Sequence, residues 1–82
     1  MSHVNTLKRY CLRALLRAGG PMNEEALMDA CRQLMPVLLR SDFSQVMEGL
    51  EADGFCIGAR DELDEAVSWA LTVKGELRAK QL

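Results

Sequence analysis

The sequence predicts a mostly helical α+β domain: a three-helix bundle, a two-stranded β-hairpin and a short C-terminal helix. Three observations carry this. Apolar residues recur at helical spacing in three successive segments, each closed by glycine or proline. Two short segments with period-two alternation follow, separated by the acidic stretch Asp61-Glu62-Leu63-Asp64-Glu65. The second of them then runs through Leu71-Thr72-Val73-Lys74-Gly75 into a helix start.

The first helix is expected over Val4 to Ala18. With about 100° of rotation per residue, Val4, Leu7, Cys11, Ala14, Leu15 and Ala18 gather on one side. Arg9, Arg13 and Arg17, spaced four apart, line the opposite side, and Leu12 and Leu16 lie on the flank between. Gly19-Gly20-Pro21 stops this helix, because glycine accepts left-handed geometry and proline cannot extend the ladder. Asn23 caps the second helix, and Glu24 and Glu25 favour its positive end. Met22 before the cap and Leu27 within form a candidate hydrophobic staple. Leu27, Ala30, Cys31 and Leu34 make its inward face, and Pro36 ends it. Val37-Leu38-Leu39 is more apolar than a connection needs to be and is expected to tuck under the core.

The third helix starts at Ser41 or Asp42, either of which can cap it. Phe43, Val46, Met47 and Leu50 fall at i, i+3, i+4 and i+7, and Gly54 supplies the left-handed residue past its end. Phe55, Ile57 and Ala59 alternate on one face of the first strand, and Val67, Trp69 and Leu71 on one face of the second. Thr72 caps a last helix from Val73 to about Lys80, with Leu77 inward.

The 82 residues form one domain spanning 1–82, with no room for a second core. A chain this short buries only about 60% of the surface its unfolded form exposes. Apolar content of 49% with 27% charged residues argues against disorder. No apolar run approaches the roughly 18 residues of a membrane span. Met1 to Asn5 lacks the basic-then-apolar order of a signal peptide. Cys11, Cys31 and Cys56 are odd in number and scattered, which fits a reducing cytoplasm better than a disulfide framework. With one histidine, His3, and no paired cysteine motif, no metal site or other cofactor is expected. The net charge of −2 is unevenly spread. Residues 1–40 hold six Lys/Arg against three acids, and residues 41–82 hold four against nine. Attraction to a polyanion therefore resides in the first half.

Three helices, then Leu50-Glu51-Ala52-Asp53-Gly54-Phe55, a hairpin, and Trp69-Ala70-Leu71-Thr72-Val73-Lys74-Gly75 resemble the winged-helix superfamily. The resemblance is closest to small bacterial transcription regulators of the MarR and PadR kind and spans most of the chain. It implies that the third helix is a recognition helix and that Asp61 to Glu65 is the tip of a wing. The partner it implies is double-stranded DNA, with Arg40, Ser41, Ser44, Gln45 and Arg60 at the contact. Arg40 and Arg60 would meet phosphate, Ser44 a phosphate oxygen and Gln45 a base edge.

The departure from the family is electrostatic. The outward face of the third helix offers Asp42, Ser44, Gln45, Glu48 and Ala52, and Arg60 stands beside Asp61, Glu62, Asp64 and Glu65. A carboxylate about 4 Å from a phosphate costs roughly 1 kcal/mol in bulk water, and more at a drier contact. Nucleic-acid contact is open by two other routes: the Arg9, Arg13, Arg17 stripe, or a homodimer that turns Lys74, Arg78 and Lys80 toward DNA. The alternative function is a winged-helix adaptor for a protein partner, in which an acidic wing meets a basic surface. Leu12, Leu16, Leu38 and Leu39 are then the candidate contact surface or homodimer seam; otherwise they complete the core. Catalysis is not expected. His3 lies near a chain end, the paired acids sit at a helix start and a hairpin tip, and no glycine-rich loop follows a strand. Nor does any small-molecule substrate site stand out.

Overall fold

The computed structural model describes residues 3–63 and 66–82. Readings that rest on Met1, Ser2, the His3 side chain, Asp64 or Glu65 lie outside the described residues. The elements run α1 (His3–Ala18), β1 (Met22–Asn23), α2 (Glu24–Leu34), α3 (Arg40–Ala52), β2 (Cys56–Arg60), β3 (Val67–Leu71) and α4 (Val73–Lys80). The result is a mixed α+β domain, mostly helical, with four helices and a three-stranded antiparallel sheet among the described residues. This is compatible with the winged-helix resemblance. The hairpin does not stand alone, however. Met22 pairs with Trp69 and Asn23 with Ser68, so β1 joins the hairpin as a third strand in the order β1-β3-β2. Met22 is thus held by the sheet.

The punctuation acts as the sequence predicts. Gly19 takes φ +71° and its N–H donates to the Leu15 and Leu16 carbonyls, closing α1. The Asn23 side chain accepts the Glu25 N–H at 2.9 Å. Gly54 takes φ +82° after α3, and the Thr72 hydroxyl accepts the Gly75 N–H at 3.0 Å to open α4. The α3 start differs. The helix begins at Arg40 with Leu39 at the cap position and no side-chain cap bond, so Ser41 and Asp42 belong to its first turn.

The core gathers around Phe43, Val46, Met47 and Leu50 of α3, all essentially inaccessible, against Leu7, Cys11, Leu12 and Leu15 of α1. Leu27, Met28 and Cys31 of α2 and Cys56, Trp69 and Ala79 complete it. Four expected faces are rotated. On α1, Leu12 is buried while Val4 and Ala18 are exposed, so the stripe centres nearer Leu12. On α2, Met28 turns inward and Leu34, in the last turn, is 61% exposed. Of Val37-Leu38-Leu39 only Leu38 tucks under; Val37 and Leu39 are exposed.

The β2 phase is shifted by one residue, so that Cys56 is buried and Ile57 exposed. The cause is Trp69, whose ring lies over its partner Gly58; a Cβ there would fall 2.8 Å from Cζ3. Only the glycine face of β2 fits against that indole, which turns Ile57 to the other side. On α4, Leu77 is exposed and Gly75 and Ala79 are inward. Gly75 lies so close to the Phe55 carbonyl that no larger residue fits, and this contact fixes the helix face.

Candidate nucleic-acid interface

The face implied for DNA is built by the exposed side of α3 and the adjoining strands. The inward set of α3 leaves Ser41, Asp42, Gln45 and Glu48 exposed and Ser44 half-buried. Between α3 and the sheet lies a groove of about 280 Å³. Glu24, Glu48 and Glu51 line it, with Ser44, Arg60 and the edge of Trp69. With Glu24 paired to Arg40, Glu48 and Glu51 against Arg60 leave this groove a net negative charge, the sign that attracts cations.

Arg40 is engaged by two acids of α2. Its Nη1 lies 3.3 Å from Glu24 Oε1, and its Nη2 donates to Glu25 Oε1. The hydrogen bond to Glu25, and then that residue's charge, raise the guanidinium above its ordinary pKa. Glu24 also accepts the Trp69 indole N–H at 2.9 Å. One half-buried carboxylate therefore ties α2 to both α3 and β3. The acids at the start of α2 already complement its dipole, so the fold gives them two further partners. Both Arg40 pairs lie at a half-exposed guanidinium, where solvent screens them.

Arg60 is exposed at the end of β2, opposite Val67. Asp61 and Glu62 follow it and are exposed. The Asp61 side chain accepts the Leu63 N–H at 2.7 Å, and its own N–H donates to the Ala66 carbonyl. Glu51, from α3, accepts the Gly58 N–H at 3.0 Å and so binds the helix to the β2 edge. The structure thus brings Ser44 and Arg60 to one groove but engages Arg40 elsewhere, while Ser41 and Gln45 lie exposed outside that lining.

The cations of the two other routes to DNA differ in their engagement. Lys74 donates to the Asp53 carbonyl at 2.7 Å and sits 4.7 Å from the Phe55 ring centre. Arg78 bonds Gln81, and Lys80 pairs with Glu76. Those three are engaged locally, at exposed sites where such pairs are weak. Arg9, Arg13 and Arg17 are exposed and make no ion pair among the described residues.

Of the apolar contact surface, Leu12 and Leu38 are buried in the core and Leu16 packs half-buried against it. Leu39 alone of the four is largely exposed, so the proposed seam is not continuous. The cysteines that lie far apart in sequence are partly reunited: Cys11 and Cys31 Sγ stand 3.6 Å apart, both buried. The hydrogen bond with Cys31, with burial next, pushes the Cys11 thiol far up. Burial, then the charge of Glu51, pushes Cys56 up to about 11. The Cys11–Cys31 hydrogen bond, donated by Cys11, lowers Cys31, while burial opposes that shift; all three thiols are inaccessible, which limits their reactivity. No group of three or more His, Cys, Asp or Glu is placed to hold a metal among the described residues, and none of their helices is long and apolar enough to cross a membrane.

Sequence reasoning missed Glu24, Glu51 and Trp69 as members of this face. The signal available was a Glu24-Glu25 pair one helix before Arg40, which marks the carboxylates but not where they reach. Comparison of the chain with protein-family models, curated proteins and solved structures finds no match.

Proposed function

We propose that this chain is a winged-helix adaptor whose acidic α3–sheet face binds a basic segment of a protein partner instead of duplex DNA. One observation carries the reading. Arg40, the cation at the head of α3, is turned into Glu24 and Glu25, and the adjoining groove is lined by Glu24, Glu48 and Glu51. A winged helix that reads DNA through this face needs its positive charge turned outward there; this one turns carboxylates outward. A lysine or arginine side chain entering the groove would meet the carboxylates of Glu48 and Glu51, and charge-assisted hydrogen bonds would hold it there. Acids at Asp61 and Glu62 would draw a basic partner toward the same side. The odd number of cysteines, all buried and free, supports a cytoplasmic setting.

Trp69, the sole tryptophan, borders the groove and reports on its occupancy. Titration with a short Lys/Arg-rich peptide is expected to shift its emission with a dissociation constant of about 10–100 µM at low salt. Glu48→Lys, at an exposed helical position, is expected to weaken binding at least roughly tenfold while the fold persists. Unchanged emission, or equal affinity in the Glu48→Lys protein, would refute this reading.

A further inference from the structure

A second groove, of about 420 Å³, runs between α1 and α2 on residues that the α3 face does not use. It lies within the roughly 300–1,000 Å³ range of ligand clefts. Ala14, Ala18 and Ala30 line it with small side chains, while Leu34, Tyr10 and Met22 supply apolar bulk. Leu34 is 61% exposed, an uncovered leucine at the end of an otherwise buried helix face. Arg13 and Arg17 line the same groove, exposed and without an ion pair among the described residues, and no carboxylate is part of the lining.

We infer that this groove binds an acidic amphipathic helix of a partner protein. Its apolar anchors would seat against Leu34 and Tyr10, and its carboxylates would pair with Arg13 and Arg17. The spacing supports a helix. Arg13 and Arg17 lie one turn apart, about 6 Å along α1, which matches acids one turn apart on a helix laid alongside. Apolar anchors flanked by charge are the helix-in-groove mode of recognition. Charge favours an acidic occupant: Arg13 and Arg17 make the groove locally cationic, and they supply most of the positive excess of residues 1–40. This inference does not depend on what the α3 face binds.

The test uses a synthetic helical peptide of about five turns with leucines on one face and glutamates on the other, and a scrambled peptide of equal composition. Amide shifts of the ¹⁵N-labelled full chain are followed. Shifts are expected at Tyr10, Ala14, Ala18, Ala30 and Leu34. Leu34→Ala, at an exposed site that should leave the fold intact by circular dichroism, is expected to weaken binding about tenfold. An Arg13→Gln, Arg17→Gln pair should weaken it at least about tenfold and flatten its salt dependence. Equal binding of the scrambled peptide, shifts centred elsewhere, or no groove shifts at about 1 mM peptide would overturn the inference. So would a DNA duplex that shifts the same resonances more tightly than the peptide, since the groove would then serve a phosphate backbone.

Discussion

Replacing Gly75 by alanine will destabilise the domain by about 3 kcal/mol or more, even though Gly→Ala within a helix normally gains roughly 1 kcal/mol. The reversal has a geometric cause. An added Cβ would fall 1.9 Å from the Phe55 carbonyl oxygen and 2.8 Å from its carbon, with Leu71 Cδ2 at 3.2 Å. That carbonyl cannot retreat without loss, because it accepts the Thr72 N–H at 3.0 Å. Thr72 in turn donates from its hydroxyl to the Gly54 carbonyl and caps α4 through the Gly75 N–H. Relief must therefore come from moving α4 off the sheet, which opens the contact where Ala79 is buried. Gly49→Ala is the control. Nothing lies within 4 Å of its added Cβ in α3, so it is expected to stabilise by about 0.5–1 kcal/mol. Urea unfolding of both variants should show opposite signs; a neutral or stabilised Gly75→Ala protein would mean α4 does not rest on the Phe55 carbonyl.

Phe43→Ala comes next, with an expected loss of about 3–5 kcal/mol. Phe43 is 0% exposed at the centre of the α3 face. Removing its ring leaves a cavity that the surrounding side chains can only partly fill, so lost transfer energy and cavity cost add. For 82 residues, total stability at about 0.05–0.15 kcal/mol per residue is about 4–12 kcal/mol. The loss therefore removes between about a quarter and all of the stability, and the variant's three buried thiols should become more readily alkylated at 37 °C. Phe43→Leu, which keeps most of the volume, should lose under about 1.5 kcal/mol. A Phe43→Ala protein with near-native denaturant midpoint would place the core elsewhere.

These residues also show what was legible. The α3 set is complete in the sequence because one helix with one dominant buried face writes its period directly: Phe43, Val46, Met47 and Leu50 are all buried. Gly19, Gly54, Asn23 and Thr72 were equally readable, since they answer to local backbone needs, whereas the α3 cap expected at Ser41 or Asp42 falls at Leu39. What failed depends on partners distant in sequence. The β2 phase was read from Phe55, Ile57 and Ala59, but the indole of Trp69 over Gly58 decides it from the neighbouring strand. Leu77 looked inward until Gly75 took that face for its contact with Phe55. At the site, the ion pairs of Arg40 were not legible, because its partners Glu24 and Glu25 arrive from the start of another helix. The sequence showed the shortage of positive charge at this face; the fold turned the shortage into an acidic groove.

The most direct test of that acidic face is fluorescence anisotropy of a labelled random duplex of about 20 base pairs, titrated at low and raised salt. The wild-type protein and an Arg40→Ala, Arg60→Ala pair are compared. With the α3–sheet face closed to phosphate, the two proteins should give the same curve, flat or weak, with no contribution from Arg40 or Arg60. Wild-type binding with a dissociation constant of roughly 10⁻⁴ to 10⁻⁶ M that weakens steeply with salt and is lost in the double variant would contradict the account. Arg40 would then leave Glu24 and Glu25 to engage the backbone, and the face would serve DNA.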